Sequence, residues 1–451
     1  MRRHLIIGRF GPSDQAKVRA AADEVATRLD LVASDRRLDH GIGQAVDDLR
    51  ALRVFPTEIG LDLLITAVHV HAADTRISRT SESQDTWTRE IRLVIPVSDP
   101  ACWNAAVPLL TRMLNFLTGD RWTLGFRPRP TSFAGILPPR LSRSRVAPFN
   151  GVSLFSGGLD SLIGAIDILE AGGTPLLVSH ASDGASSSAQ NSLFEALRAH
   201  HRRRAFNRFR VWMSFDQGLV KGVGPEDTTR GRSFLFFALG VFAGTGLGGT
   251  FTVRVPENGL IALNVPLDPL RLGALSTRTT HPFYMARWNE LLAALNIPGR
   301  IENPYWNKTK GEMVAACANL ELLQRLVPSS LSCSSPTKGR WQGRGIEHCG
   351  YCIPCLIRRA ALDGDADATV YTLADLRGRE LDTRQAEGQQ IRSLQLAIER
   401  LRARPSLARL LIHKPGPLSD HSERLNDYAR VYRRGMEEIE ALLAGVRTRP
   451  M

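Results

Sequence analysis

The sequence has only six lysines among its 58 basic residues, so arginine carries almost all of its positive charge. A net charge of +13 suits a nucleic-acid partner, but the arginines are spread along the chain and only residues 202–204 form a dense run. Such a general bias is typical of a genome's base composition. Nucleic acid is therefore an alternative partner, and not the favoured one. Lysine carries a compact charge on a flexible side chain. Its retention at Lys308 and Lys310 therefore indicates that such a charge is needed there.

Long apolar runs are also absent, since none reaches the roughly 18 residues that a membrane helix needs. The first eight residues hold two arginines and a short apolar stretch, which predicts a first strand and not a signal peptide. Cysteines number six, and four of them fall within residues 333–355. Such clustering argues for metal or redox chemistry over a disulfide framework. We expect a cytoplasmic protein without a membrane partner.

Residues 1–130 predict an α+β accessory domain without a catalytic motif. Ile, Val and Thr are frequent in the expected strands, and apolar residues recur at helical spacing in the expected helices. His69 and His71 would share one strand face, but a third ligand is lacking and no metal site is predicted there. The expected strands are residues 5–8, 61–71, 91–97 and 122–126, and the expected helices are residues 14–31 and 100–117.

Residues 131–150 form a proline-rich linker, because Pro138, Pro139 and Pro148 disfavour both helix and strand. From residue 151 to residue 375, short apolar strands alternate with helical segments. This alternation predicts an α/β domain with a parallel sheet and helices on both faces. Residues 376–451 predict a helical C-terminal extension, interpreted as a packing or dimerisation appendage.

A glycine loop connects the first strand of this domain to its first helix; it consists of Ser156, Gly157, Gly158, Leu159, Asp160 and Ser161. A strand-to-helix turn presents free N–H groups at the positive end of the helix, which favours an anion. Two glycines allow a close backbone approach, and the two serines add hydroxyl donors. Asp160 is suited to capping the helix or orienting Mg²⁺. The loop lacks the lysine of a Walker A motif.

The four clustered cysteines have the spacing C-x15-C-x2-C-x2-C and are Cys333, Cys349, Cys352 and Cys355. Two intervening residues bring two sulfurs onto one ion, and four thiolates leave no open position. The pattern therefore predicts structural zinc. An Fe–S cluster and a redox pair of Cys352 with Cys355 remain alternatives, and His348 is a substitute ligand.

These two motifs, in this order, resemble those of the 7-cyano-7-deazaguanine synthase (QueC) family of PP-loop ATP pyrophosphatases. The resemblance covers residues 151–365. It implies a PP-loop (HUP-like) fold, ATP and Mg²⁺ as cofactors, and structural Zn²⁺. It also implies cleavage of ATP between the α- and β-phosphates, with activation of a deazaguanine carboxylate as an acyl-adenylate.

Particular residues match the family's segments. The resemblance implies catalytic roles for Asp160, Ser161, Lys310 and Arg232, with Lys310 neutralising phosphate and Arg232 contacting phosphate or carboxylate. The whole glycine loop would bind ATP. By the same analogy, residues 179–183 and 214–217 would line the adenosine pocket. The residues expected to bind the deazapurine are Arg230, Glu257 and Asn258.

Two departures from the family narrow the expected function. Residues 275–282 lack its acidic-aromatic segment, and ordinary members lack both residues 1–130 and the helical tail. The arrangement looks like the QueC-like component of Qat-type anti-phage systems. It predicts a C–N ligase, forming AMP and pyrophosphate, that joins the carboxylate to an amine of a partner protein. Alternatives are nitrile synthesis from ammonia, a tRNA or DNA modifier or binder, and a fold that has lost catalysis.

Overall fold

The computed structural model describes residues 2–33, 37–83, 85–137, 147–181, 183–267, 278–339, 343–362 and 367–450. Pro138 and Pro139 of the predicted linker lie outside these residues, as do residues 275–277 of the altered pocket segment. Residue 182 of the predicted adenosine pocket also lies outside them.

The first sheet has four strands in the order β2-β1-β3-β4, and every neighbouring pair is parallel. The predicted α+β organisation of residues 1–130 is therefore wrong, because an all-parallel sheet with helices between β2 and β3 and between β3 and β4 defines an α/β unit. Its elements are β1 (Arg3–Arg9), β2 (Glu24–Asp30), α1 (Ile42–Ala51), α2 (Glu58–Arg76), α3 (Arg79–Glu82), β3 (Glu90–Val97), α4 (Pro100–Ala105), α5 (Val107–Thr118) and β4 (Arg121–Pro128).

The helix predicted for residues 14–31 is not formed. Residues 24–30 are instead the edge strand β2, in which buried Thr27 and Leu29 alternate with exposed neighbours. The residues before it form a loop, held by Asp14, which accepts a hydrogen bond from Phe10 N at 3.0 Å and pairs with Arg127. The apolar residues fit a helical period almost as well as a strand period, and the pairing with β1 decides between them.

The strand predicted for residues 61–71 is also wrong, because these residues lie in the 19-residue helix α2. Every residue from Gly60 to Thr75 is buried, so the helix has no polar face to reveal its period. Thr57 caps it by accepting a hydrogen bond from Gly60 N at 3.3 Å. His69 and His71 therefore point to different sides, since residues two apart on a helix do not share a face.

The second sheet has five parallel strands in the order β7-β6-β5-β8-β9, which confirms the predicted parallel sheet. The order reverses at β5, and parallel sheets bind ligands at the carboxyl ends of strands beside such a reversal. Its elements are β5 (Gly151–Leu154), α6 (Leu159–Glu170), β6 (Pro175–Ala181), α7 (Gly184–His200), β7 (Asn207–Trp212), α8 (Arg232–Thr245), β8 (Phe251–Arg254), α9 (Gly259–Leu263), α10 (Pro282–Ala294), β9 (Gly299–Glu302), α11 (Lys310–Ala315) and α12 (Leu320–Leu326).

Helices cover both faces of the second sheet, as predicted. Leu177 of β6 packs with α6 and α7, whereas its neighbours Leu176 and Val178 share a cluster with α8 and α10. That second cluster continues through α2 into the first sheet. One core thus joins the two sheets, and Gly231 N, beside α8, donates to Asp74 Oδ2 of α2 at 2.6 Å. The first unit and the second unit therefore share one hydrophobic core.

The C-terminal extension is helical, as predicted, and has its own apolar cluster. This cluster includes α9 and the helix that follows the cysteines, so the extension packs directly on the second unit. No helix among the described residues is long and apolar enough to cross a membrane. The remaining elements are α13 (Ile353–Ala361), β10 (Leu381–Asp382), α14 (Ala386–Ala403), α15 (Ala408–Leu411), α16 (Leu425–Leu443) and β11 (Thr448–Arg449).

Buried neutral histidines predict acid-sensitive folding. Burial lowers the pKa of His71 to about 3, so the folded protein holds it neutral while the unfolded chain protonates near its ordinary pKa of 6.5. The stability that depends on the neutral ring is present above pH 6.5 and is lost as the pH falls toward 3. His71→Phe should remove about 2 kcal/mol of the stability lost between pH 7 and pH 5.

Urea unfolding at the two pH values measures this difference. The exposed His413 supplies the matched control, since His413→Phe should leave the pH dependence as in the wild type. An unchanged pH dependence in His71→Phe would contradict the account.

Candidate functional site

The glycine loop lies at the carboxyl end of β5, where the strand order reverses. Gly157 has φ of +86°, and a Cβ there would stand 3.2 Å from both Cγ and N of Gln190, so the position requires glycine. Gly158 N reaches Ser156 Oγ at 3.3 Å, and Leu159 N reaches another hydroxyl at 3.3 Å. These long contacts leave the N–H groups available for stronger acceptors, so the loop has the geometry of an anion site.

The hydroxyl that receives Leu159 N belongs to Ser332, which the sequence argument did not single out as a site residue. The segment before Cys333 is tied to the loop, because Leu331 N donates to Gly157 O at 2.8 Å. Ser332 N in turn donates to His348 Nε2 at 3.2 Å. The sequence feature that could have indicated a role for Ser332 was its position next to Cys333. His348 thus positions Ser332 and is not needed as a metal ligand.

Arg358 of α13 holds the segment before Cys333 in place by hydrogen bonds. It is fully buried and donates to Ser330 Oγ at 2.8 Å and to Val327 O at 2.7 Å. A guanidinium with several fixed acceptors holds backbone in one geometry. The helix that carries Cys355 therefore also fixes the chain that covers the glycine loop.

Asp160 and Lys310, 150 residues apart, form a buried ion pair behind the loop. Lys310 Nζ lies 2.6 Å from Asp160 Oδ1, and the two residues are only 3% and 5% exposed. The other carboxylate oxygen accepts hydrogen bonds from Asn258 N at 3.0 Å and from its Nδ2 at 2.7 Å. Both of these predicted catalytic residues are thus brought together. Asn258 is fully buried and also caps α9, so its contacts are those of a bracing residue.

Glu257 shares a hydrogen bond with Asp160. Burial would raise the pKa of Asp160, but the Lys310 ammonium and hydrogen bonds from Glu257 and Asn258 outweigh it and keep that pKa below its usual value. Burial and the Asp160 charge raise the pKa of Glu257 well above the usual range. The cluster thus favours an ionised Asp160 and a protonated Glu257. Two carboxyl groups therefore adjoin each other behind the glycine loop.

The C-terminal extension fixes the position of Lys310. Thr309 and Glu312 form a capping box at the start of α11. Glu438 of α16 accepts hydrogen bonds from the Thr309 hydroxyl and, at 3.3 Å, from Gly311 N. Arg434 of the same helix donates to Glu312 at 2.6 Å. The extension therefore contributes to the site, and nothing in the local sequence pattern near residue 310 could have predicted it.

The predicted site arginines lie in two different places. Arg232 begins α8, and its guanidinium is 3.5 Å from His180 O at the carboxyl end of β6, in the predicted adenosine-pocket region. Burial lowers its pKa. Arg230 instead contacts the first unit, donating to Thr118 O at 3.0 Å and stacking 4.4 Å from the Trp87 ring. A substrate contact by Arg230 stays a prediction.

The four cysteines converge as their spacing predicts. Cys333 and Cys352 Sγ are 3.9 Å apart, Cys349 and Cys355 Sγ are 4.0 Å apart, and all four lie within 4.8 Å of one another. Tetrahedral zinc with Zn–S bonds of about 2.3 Å needs sulfurs about 3.8 Å apart. Gly350, with φ of +85°, makes the tight turn between ligands. The cluster can hold a metal ion and is compatible with structural zinc.

Comparison with known proteins gave no assignment: no family model matches this chain, and no curated protein matches it significantly. The fold and the site define an α/β protein with parallel sheets of four and five strands, a glycine loop at a strand-to-helix turn and a four-cysteine cluster.

Removing one cysteine tests the metal cluster. Cys352→Ser should release about one metal ion per chain and lower solubility, because three thiolates cannot close a tetrahedral site. Cys317→Ser is the control, since Cys317 is buried outside the cluster. Metal analysis of purified protein gives the result. Unchanged metal content, or a soluble and fully active metal-free variant, would refute a structural metal.

Removing Glu438 tests the bracing of Lys310. Glu438→Ala leaves the buried Thr309 hydroxyl without its acceptor and should cost about 1–3 kcal/mol of unfolding free energy. The neighbouring Glu437 is exposed and pairs with Arg433 at 3.7 Å, so Glu437→Ala should cost less than about 0.5 kcal/mol. Urea unfolding compares the two variants. Equal effects would show that the contact does not hold α11.

Proposed function

We propose that the protein is an ATP-dependent C–N ligase of the PP-loop type. It adenylates the carboxylate of a deazaguanine-type base and transfers the acyl group to an amine, that of a partner protein, in an anti-phage defence system. The observation that carries the proposal is the buried Asp160–Lys310 pair directly behind the glycine loop. A buried ion pair holds the lysine ammonium in a fixed position, where it can interact with the negative charge of a polyphosphate.

The residues around the loop supply the groups that ATP needs. The N–H groups of the loop and the hydroxyls of Ser156, Ser161 and Ser332 are donors for phosphate oxygens. Lys310 would neutralise phosphate charge. Mg²⁺ would be held by Asp160 and Glu257, and it would supply charge neutralisation between phosphate oxygens. Glu257 would give up its proton as the cation binds.

The reaction divides into two balanced steps. A carboxylate oxygen attacks the α-phosphorus of ATP, the bond to the bridging oxygen of the β-phosphate breaks, and pyrophosphate leaves. The amine then attacks the acyl carbon and loses a proton, and AMP leaves as the amide forms. Arg232 of α8, whose guanidinium lies near the carboxyl end of β6, would contact phosphate or carboxylate. The protein's contribution is positioning and charge stabilisation.

The first unit favours a large amine over free ammonia as the acceptor. It shares one hydrophobic core with the second unit, through α2 and α8, and is therefore packed firmly against it. A unit attached in this way would offer a surface for a protein acceptor. Deleting residues 1–130 would expose the shared hydrophobic core to solvent, so point variants are needed to test this unit.

The acceptor is identified by mass spectrometry of the products. Purified protein is incubated with ATP, Mg²⁺ and 7-carboxy-7-deazaguanine, with candidate partner proteins in one arm and ammonium in the other. A partner whose mass increases by the acyl group supports the proposal. A nitrile formed only with ammonium would assign biosynthesis of the base instead. No product in either arm would contradict adenylation of this substrate.

Asp160→Asn tests the ion pair, because it removes the negative charge and leaves the shape of the side chain almost unchanged. It should reduce AMP formation at least about 100-fold, because Lys310 loses its fixed partner and the cation loses a charged ligand. The control is Asp47→Asn, because the exposed Asp47 pairs with Arg37 at 2.5 Å on the surface, in the first unit. AMP release is measured alongside unfolding, to establish that the variant folds. A folded variant that retains a tenth of the activity would contradict the assignment.

A further inference from the structure

Three side chains outside the glycine loop and the cysteine cluster converge at the ends of two helices. Glu170 ends α6, His200 ends α7, and His201 follows directly. Nε2 of each histidine lies 3.9 Å from the same Glu170 Oε1, and the three donor atoms lie within 4.8 Å of one another. These separations are too long for hydrogen bonds. Tetrahedral zinc with nitrogen and oxygen ligands at about 2.0–2.1 Å needs donor atoms about 3.3–3.4 Å apart, so the three groups must approach by about half an ångström to hold an ion.

His201 gives the second observation. Its side chain is only 8% exposed, and its Nε2 is buried without a hydrogen-bond partner among the described residues. An unpaired buried polar group costs about 1–3 kcal/mol, so a ligand is the physical explanation for its retention. Burial also lowers the pKa of His201, which favours the neutral imidazole that binds metals.

The carboxylate of Glu170 is held in place by a neighbouring helix. Asn319 Nδ2 donates to Glu170 Oε1 at 2.6 Å, while Asn319 Oδ1 caps α12 by accepting from Leu322 N at 3.0 Å. The two imidazole rings stand edge to face, with centroids 4.7 Å apart. Hydrogen bonds that orient a ligand in this way are typical of metal sites.

We propose that Glu170, His200 and His201 form a second metal site, which takes a zinc-like divalent cation. Two imidazoles and one carboxylate suit Zn²⁺ over Mg²⁺ or Ca²⁺, and a water completes four-coordination. Because α6 and α7 begin at the carboxyl edge of the sheet, they end at the opposite edge from the glycine loop. The ion would therefore join α6, α7 and α12 and stabilise the fold.

One neighbouring charge opposes the ion. Arg325 Nη2 lies 3.4 Å from His200 Nδ1. When His200 binds metal through Nε2, the imidazole proton sits on Nδ1, which cannot accept a hydrogen bond. The exposed Arg325 must then turn away. Arg325→Gln removes this competition and a positive charge, so the structure predicts zinc affinity several-fold higher in that variant.

Metal content of full-length protein without a histidine tag tests the proposal. After equilibration with micromolar Zn²⁺ and gel filtration, the wild type should hold about two ions per chain, one in each cluster. His200→Asn/His201→Asn should hold about one, and the control His413→Asn should hold about two. Competition with a chromophoric chelator then measures the affinity of Arg325→Gln against the wild type.

The proposal is overturned if the double variant holds as many ions per chain as the wild type. If burial of His201 prevents the double variant from folding, His200→Asn and Glu170→Gln change exposed residues and give the same comparison. The cysteine cluster is intact in all these variants, so the result does not depend on the proposed ligase activity.

Discussion

The buried ion pair between Asp160 and Lys310 is the interaction on which the site depends. Two charges removed from water must find each other and further polar partners, or the cost of dehydration exceeds their attraction. Here Asn258 and Glu257 satisfy the carboxylate, while the capped start of α11 fixes the lysine. Any shift in α6, α9 or α11 would therefore leave a charge unpaired.

This requirement explains why three parts of the chain act as one structure. The cysteine-bearing segment covers the glycine loop through Ser332, the C-terminal helix α16 fixes the start of α11, and α2 of the first unit packs against α8. A metal ion among the cysteines would thus support the loop indirectly, through Arg358 and the chain it anchors. The first unit and the C-terminal extension, which the sequence predicted to be accessory parts, thus contribute to holding the glycine loop and its ion pair.

Local patterns predicted the glycine loop and the cysteine cluster, because each is encoded in one short segment of the chain. They also predicted the second sheet, because strands and helices alternate along its sequence. The first unit was predicted less well. Helix α2 is buried on all sides and shows no amphipathic period, and β2 is an edge strand whose residues also fit a helix. Ser332 and Glu438 acquire their roles through contacts 173 and 129 residues away in sequence, which no local pattern records.

Exchange of labelled pyrophosphate into ATP tests the central claim most directly, because it reports reversible cleavage between the α- and β-phosphates before any acceptor is involved. The account predicts that label enters ATP with Mg²⁺ present and only when 7-carboxy-7-deazaguanine is added. Formation of ADP and phosphate without exchange would show cleavage at the other bond, and would contradict the assignment of the glycine loop.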